Sequence, residues 1–297
     1  MIAKVLSFYR FTELADPAAV RLWQRELCRR LGINGRIIVS SQGINATLGG
    51  GVDQLKQYLK ATREHEAFAG LAPTWTDGTG HDFPRLSVKV RPELVTFGVP
   101  EEVALAEDGV AGTGRHLTPD QVHRLVAERG DEMVFLDGRN AWEAEVGRFS
   151  GAVVTGAETT ADFVAELESG AYDELKDRPV VTYCTGGIRC EVLSALMVNR
   201  GFGEVYQIAG GILAYGQQYG DDGLWQGAVR VFDDREIVTF SDHAEVIGRC
   251  RRCDAPTSRH TDCTAPGCKG RSLLCAGCAE QDARCPAHQE DRPPGQD

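Results

Sequence analysis

Apolar and polar positions alternate over Ala3-Lys-Val-Leu-Ser-Phe-Tyr9, and a period of two predicts a strand. Asp16-Pro17 follows, an N-cap and a first-turn proline, and predicts a helix to about Leu31 closed by Gly32. Arg36–Ser40 and Asn45–Leu48 read as a second and a third strand, Val52 to about Glu64 as a second helix, and Leu86–Arg91 as a further alternating strand. The order is β-α-β-β-α-β, the split ferredoxin-like arrangement, and it assigns residues 1–97 to an α+β domain.

A different pattern begins after residues 98–116, where Gly98, Pro100, Gly109, Gly112 and Gly114 stand among acids and predict a linker or an extended excursion. Thr118-Pro-Asp-Gln121 carries a capping box, with Val122, Leu125 and Val126 as the stripe of the helix it starts. Met133–Leu136, Gly151–Val154, Pro179–Tyr183 and Glu204–Ile208 are short apolar strands with helices between them. That rhythm predicts a doubly wound parallel sheet covered on both faces, over residues 115–228. A Cys-rich module is expected over 245–288, and a polar, Pro-rich disordered tail over 289–297.

Hydrophobic residues make up 42% of the chain, yet no apolar run approaches a membrane span. The start breaks into charge within a few residues, so the expectation is a cytoplasmic protein with no membrane partner. A net charge of -11 argues against nucleic acid until it is divided. Residues 1–100 hold 13 Lys and Arg against 9 Asp and Glu, while residues 101–235 hold 11 against 24. The first domain is therefore mildly basic, which permits an RNA partner without establishing one.

Candidate chemistry centres on Cys184, which follows the apolar strand Val180–Tyr183 and precedes Thr185, Gly186, Gly187, Ile188 and Arg189. A thiol facing a helix N-terminus sits among backbone N–H groups and the positive end of the helix dipole, and both favour the thiolate. Gly186 and Gly187 let several N–H groups converge, and Arg189 adds a fixed cation for an anionic group, so that Cys184 and Arg189 are the candidate catalytic residues. Cys184 is the expected nucleophile, ionised and reachable. Cys190, one helical turn on, either resolves an oxidised Cys184 as a disulfide or is a small packed residue. No Gly-x-Gly-x-x-Gly nucleotide-cofactor motif is present.

The loop Cys184-Thr-Gly-Gly-Ile-Arg189 resembles the active loop of rhodaneses. Leu136-Asp137-Gly-Arg139, Glu143, Gly147 and Gly151-Ala152 resemble their entry segment, with Arg148 in place of the usual His. Ala209-Gly-Gly-Ile212 resembles their later Gly-Gly turn, with Tyr215 near the place of a common Trp. Ser40-Ser-Gln-Gly-Ile-Asn45-Ala-Thr-Leu-Gly-Gly50, Phe83-Pro-Arg85-Leu-Ser-Val-Lys89-Val-Arg91 and Cys184-Thr-Gly-Gly-Ile-Arg-Cys190-Glu191, with the Cys-rich end, resemble the tRNA uridine hydroxylase family. The resemblance implies oxygen-dependent 5-hydroxylation of the wobble uridine, with tRNA as partner, molecular oxygen as co-substrate and Cys184 as sulfur-carrying nucleophile that forms a persulfide or an oxidised sulfur species. Arg85, Lys89 and Arg91 are candidate phosphate contacts, Lys89 and Arg91 sharing one strand face as an exposed strand also would. The Gly43-Ile-Asn45 turn either brings Asn45 to a nucleotide or is a plain hairpin.

Cys250-x2-Cys253, Cys263-x4-Cys268, Cys275-x2-Cys278 and Cys285-x2-His288 form four pairs. Zinc takes four tetrahedral Cys or His ligands, so four pairs suit two structural ions, with pairs one and three interleaved with pairs two and four. Disulfides or a disordered reduced tail stand as the other outcomes, and His260 as a substitute ligand. For the whole chain the alternatives to RNA hydroxylation are a sulfurtransferase acting on a small-molecule or thiol acceptor, and a binding module with an inactive rhodanese fold. The oligomeric state is left open.

Overall fold

The computed structural model describes residues 2–107 and 109–288, so the tail expected over 289–297 lies outside the described residues. The first unit runs β1 (Ala3–Phe11), α1 (Pro17–Leu31), β2 (Asn34–Ser40), β3 (Gly43–Gly51), α2 (Val52–Arg63), β4 (Thr74–Asp77) and β5 (Leu86–Val90). Asp16 Oδ1 accepts the Ala19 N–H at 2.9 Å, and Gly32 ends α1 in the left-handed region at φ +65°. The sheet order is β4-β1-β3-β2-β5. This corrects one expectation. The strand that closes the split motif against β1 is β4, antiparallel to it, whereas β5 joins the opposite edge parallel to β2. Thr74-Trp-Thr-Asp77 is a four-residue edge strand, too short to show a period.

Strand alternation separates the two faces of this sheet. Leu6, Phe8, Ile37, Val39, Ile44, Ala46 and Leu48 pack under α1 and α2. Tyr9, Phe11 and Ile38 point the other way, into a cluster shared with the second unit. Burying Phe11 there contributes on the order of 2 kcal/mol to holding the two units together.

The segment expected to be a linker or an extended excursion packs onto the shared cluster. Val110 is buried there with Val99, Val103 and Leu105 against it, around a small hairpin of β6 (Leu105–Ala106) and β7 (Gly109–Val110). One of its acids finds a cation: Arg200 Nη1 donates to Glu102 Oε2 at 2.9 Å.

The second unit follows as β8 (Arg115–Leu117), α3 (Pro119–Arg129), β9 (Val134–Asp137), α4 (Ala141–Ala144), β10 (Gly147–Phe149), β11 (Val153–Val154), α5 (Asp162–Glu168), β12 (Pro179–Tyr183), α6 (Ile188–Asn199), β13 (Glu204–Ile208) and α7 (Gly211–Tyr219). The reciprocal capping box of Thr118 and Gln121 starts α3. The main sheet, β11-β9-β12-β13-β8, is parallel throughout. Every residue of β9 and β12 is buried, as expected of a sheet covered on both faces. After β14 (Trp225–Gly227), β15 (Val229–Arg230) and β16 (Ile237–Val238), the Cys-rich module holds β17 (His260–Asp262), β18 (Arg271–Leu273) and α8 (Ala276–Gln281). Among the described residues no helix is long and apolar enough to cross a membrane.

Candidate active site at the seam of two domains

Cys184 leaves the end of β12 and faces the first turn of α6. Gly187 caps that helix at φ +97°, and its N–H donates to Cys184 Sγ at 3.2 Å. Burial alone would raise the Cys184 thiol. A hydrogen bond from the Cys190 thiol, the Arg189 charge and the backbone N–H groups of Cys190 and Arg189 outweigh it and bring the thiol down to about 6.

The loop is pinned from behind by α7. Ile212 N–H donates to the Cys184 carbonyl at 2.9 Å and Leu213 N–H to the Thr185 carbonyl at 3.1 Å. Gly211 makes the approach possible: its φ is +64°, and a Cβ there would lie 2.3 Å from the Cys184 carbonyl oxygen. Gly186 has open space around it, and Ile188 packs its side chain against the shared core.

Arg189 is not a free anion clamp. Its Nη1 and Nη2 reach Glu143 Oε2 and Oε1 at 2.5 and 2.9 Å, and Nη2 also reaches Thr185 Oγ1 at 3.3 Å. A guanidinium only 11% exposed needs such a partner. Glu143 comes from α4, 46 residues upstream, and was legible only as part of the rhodanese-like entry segment. Asp137 and Arg139 form a second, fully buried pair, joined by the Tyr183 hydroxyl, and serve as scaffold behind the loop.

The thiol is not reachable in this closed state. Cys184 is 1% exposed, enclosed by its own loop with Tyr9 of the first unit standing against it. Tyr9, on β1, lies over the loop: a Cβ on Gly187 would sit 3.0 Å from the Tyr9 hydroxyl. That hydroxyl donates to Glu191 Oε1 at 2.9 Å. Glu191 also holds His116 Nε2 at 2.8 Å, Gln207 Nε2 at 3.3 Å and Thr113 Oγ1 at 3.4 Å. Burial would raise the Glu191 carboxyl, but His116, Tyr9 and Gln207 hold it below its usual range. Burial first and then the Glu191 charge push the Tyr9 phenol well above its own. Sequence reasoning missed Tyr9 and His116. It quoted Glu191 only as the residue after Cys190.

The register places the candidate RNA contacts. Tyr9 is paired with Asn45, Asn45 with Ile38 and Ile38 with Lys89, so the four form one row across the sheet. Arg85, Lys89 and Arg91 share that face of the β5 segment by alternation and are exposed. Arg36, two residues before Ile38, is exposed on the same face and was also missed. The row links Tyr9 at the loop, through Ile38 packed against the shared core, to a basic sheet edge.

The four cysteine pairs gather into two groups, Cys250, Cys253, Cys275 and Cys278, and Cys263, Cys268, Cys285 and His288, with all ligand atoms of each within 4.8 Å. Cys253 and Cys275 sulfurs lie 3.6 Å apart, Cys268 and Cys285 sulfurs 3.8 Å. A tetrahedron with metal–sulfur bonds near 2.3 Å has edges of about 3.8 Å, so both groups fit a metal ion. His260 is no ligand. It is buried with Nε2 on the Trp142 carbonyl at 2.9 Å, and so ties this module to α4 next to Glu143. Of the three His-x-acid runs in the sequence, the two that lie wholly among the described residues, His243-Ala-Glu245 and His260-Thr-Asp262, join no group of three metal-ligating side chains there.

Comparison with known proteins matches three family models in order: a UPF0176 acylphosphatase like domain over residues 3–94, a rhodanese-like domain over 118–218 and a rhodanase C-terminal region over 226–290. The rhodanese-like domain from the Anabaena sp Alr3790 protein is a structural neighbour at 19% identity and a TM-score of 0.32, covering 45% of this chain and 98% of that one. The tRNA uridine(34) hydroxylase of Arthrobacter sp. (strain FB24) is 56% identical over 288 residues, 95% of this chain and 97% of the relative. That of Rhodococcus opacus (strain B4) is 57% identical over 284 residues, 95% of this chain and 99% of the relative. With such identity along nearly its whole length, the chain belongs to the tRNA uridine(34) hydroxylase family.

Proposed function

We infer that the chain hydroxylates C5 of uridine 34, the wobble base, in tRNA, with molecular oxygen as co-substrate and Cys184 as the reacting sulfur. The observation that carries this reading is the row Tyr9–Asn45–Ile38–Lys89, which links Tyr9 at the Cys184 loop to a basic edge. An anticodon base is single-stranded and is presented to a buried group by leaving its stack. Arg36, Arg85, Lys89 and Arg91 then hold backbone phosphates, and the Asn45 amide offers a donor and an acceptor to a base edge. Lifting Tyr9 from Gly187 opens the way to the sulfur. Action on tRNA places the work in the cytoplasm.

The Cys184 thiolate is held by the Gly187, Arg189 and Cys190 amides, and Glu143 keeps Arg189 in place beside it. The eight Cys and His residues of the last module hold two structural zinc ions, with all four positions of each filled by protein. Their role is to fold a segment poor in large apolar side chains.

Mass spectrometry of tRNA nucleosides tests the reading. Cells lacking the gene lose 5-hydroxyuridine-derived nucleosides, the wild-type gene restores them, and Cys184→Ser does not. Unchanged 5-hydroxyuridine in the deletion overturns the reading. Loss of thiolated nucleosides instead supports the sulfurtransferase alternative.

A further inference from the structure

Insertion of one oxygen atom from O2 into a C–H bond sends the other atom to water and consumes two electrons and two protons. Closing a dithiol to a disulfide releases that number of each. Cys184 and Cys190 are such a pair. The Cys190 thiol is hydrogen-bonded to the Cys184 sulfur, and Thr182 Oγ1, near the end of β12, lies 3.7 Å from Cys190 Sγ. Cys190 comes from the first turn of α6, whose opening glycine already touches the Cys184 sulfur. The two residues are 1% and 0% exposed, so an oxidised sulfur formed there meets the other thiol before water. Cys190 keeps its proton, because burial and the neighbouring Cys184 charge push its thiol up, while Cys184 is the one held ionised.

We propose that the Cys184–Cys190 dithiol is the two-electron donor of the hydroxylation, so that each turnover ends in a Cys184–Cys190 disulfide that an external thiol reductant must reopen. The proposal rests on the hydroxylase function above and adds its reductant. The atoms balance: the C5–H bond, O2 and two S–H groups become C5–OH, water and one S–S bond. Oxygen is reduced, with one atom in each product, and the two sulfurs are oxidised. The thiol protons leave in the water, the Cys184 proton being taken back from solvent. An external reductant enters the cycle only between turnovers, when Tyr9 is lifted.

The test is stoichiometry on the full chain. Reduced protein is freed of reductant and mixed in air with unmodified tRNA, and 5-hydroxyuridine is counted. The expected result is a burst of about one product per chain that then stops. Peptide mapping after alkylation under non-reducing conditions finds Cys184 joined to Cys190, with Cys28 free. Adding dithiothreitol restarts turnover. Cys190→Ser gives no disulfide, and its turnover with dithiothreitol present falls at least about tenfold. Several products per chain without reductant, or both thiols free after the burst, overturn the proposal. If no 5-hydroxyuridine forms even with dithiothreitol present throughout, the hydroxylase reading itself has failed. Diamide treatment of the free protein judges the pair separately: inability to join Cys184 to Cys190 removes the donor even where hydroxylation is intact.

Discussion

The Tyr9 hydroxyl donates to the Glu191 carboxylate at 2.9 Å, across the boundary between the acylphosphatase-like and rhodanese-like domains. One partner lies on a sheet face and the other in the first turn of the helix that carries the reactive loop. The bond therefore ties the first domain to the helix that carries the reactive loop, and on the proposed reading it guards the approach to Cys184. A hydrogen bond to a charged group is worth roughly 1.5–3 kcal/mol. Tyr9→Phe should raise the rate at which iodoacetamide labels Cys184 by about tenfold or more, since 1.4 kcal/mol is one decade of opening equilibrium. Label confined to Cys184 and quantified by peptide mapping checks this. An unchanged rate would mean that Tyr9 does not close the site.

The pH profile of the same labelling reports on the sulfur. Its thiol is brought from an ordinary value of 9.0 to about 6. In the Tyr9→Phe background, labelling should rise through about pH 6 and be flat by pH 8, where an ordinary cysteine is still climbing. The same shift contributes stability that is present above pH 9 and is lost as pH falls towards 6. A midpoint near that of a free thiol would remove the thiolate from the mechanism.

Glu143 makes a stability prediction. Its carboxyl is raised by burial, but the Arg189 guanidinium lowers it further and the net shift is down. Replacing it by Ala leaves a buried, unpaired guanidinium, at a cost of about 3–5 kcal/mol. Urea unfolding at pH 7 should show this. A depressed carboxyl stabilises above its unfolded value and loses that stability as pH falls. The gap between wild type and Glu143→Ala should thus narrow below about pH 4. A loss under about 1 kcal/mol at pH 7 would show that the ion pair does not hold the loop.

What could be read from the sequence follows from how local each signal is. Asp16, Pro17 and Gly32 bracket α1, and Thr118 and Gln121 start α3, because caps act over three or four residues. The Cys184 loop was legible for the same reason, since its glycines and the helix after it are contiguous. Parity along β1 told that Tyr9 and Phe8 face opposite ways, yet nothing local says that the Tyr9 face meets another domain. The partner of Tyr9 is 182 residues away and that of Arg189 is 46. β4 stayed hidden because four residues at a sheet edge carry no period, and the clearer alternation of Leu86–Val90 took its place.

The cysteine groups predict a metal count. Elemental analysis of freshly purified protein should give two zinc ions per chain, one for each group. Cys268→Ala should leave about one, because three ligands hold zinc far more weakly than four. Stripping the metal should also unfold the module and free His260 from the Trp142 carbonyl, measurable as new protease sensitivity after residue 245. Less than one zinc per chain in unchelated protein would overturn the metal assignment.

The basic sheet edge makes the last prediction, and salt separates it from loop chemistry. Arg36, Lys89 and Arg91 are exposed on the face that leads to Cys184. If each neutralises one phosphate, each change to Ala should weaken tRNA binding several-fold and reduce the slope of log affinity against log salt by about 1. Asn45→Ala should differ in kind. A contact to a base edge carries no counterion release, so it should lower turnover and leave the salt slope unchanged. Binding titrations at three salt concentrations distinguish the two behaviours. An unaltered slope in all three charge variants would place the tRNA on another surface and leave the row from Tyr9 to Lys89 as plain sheet packing.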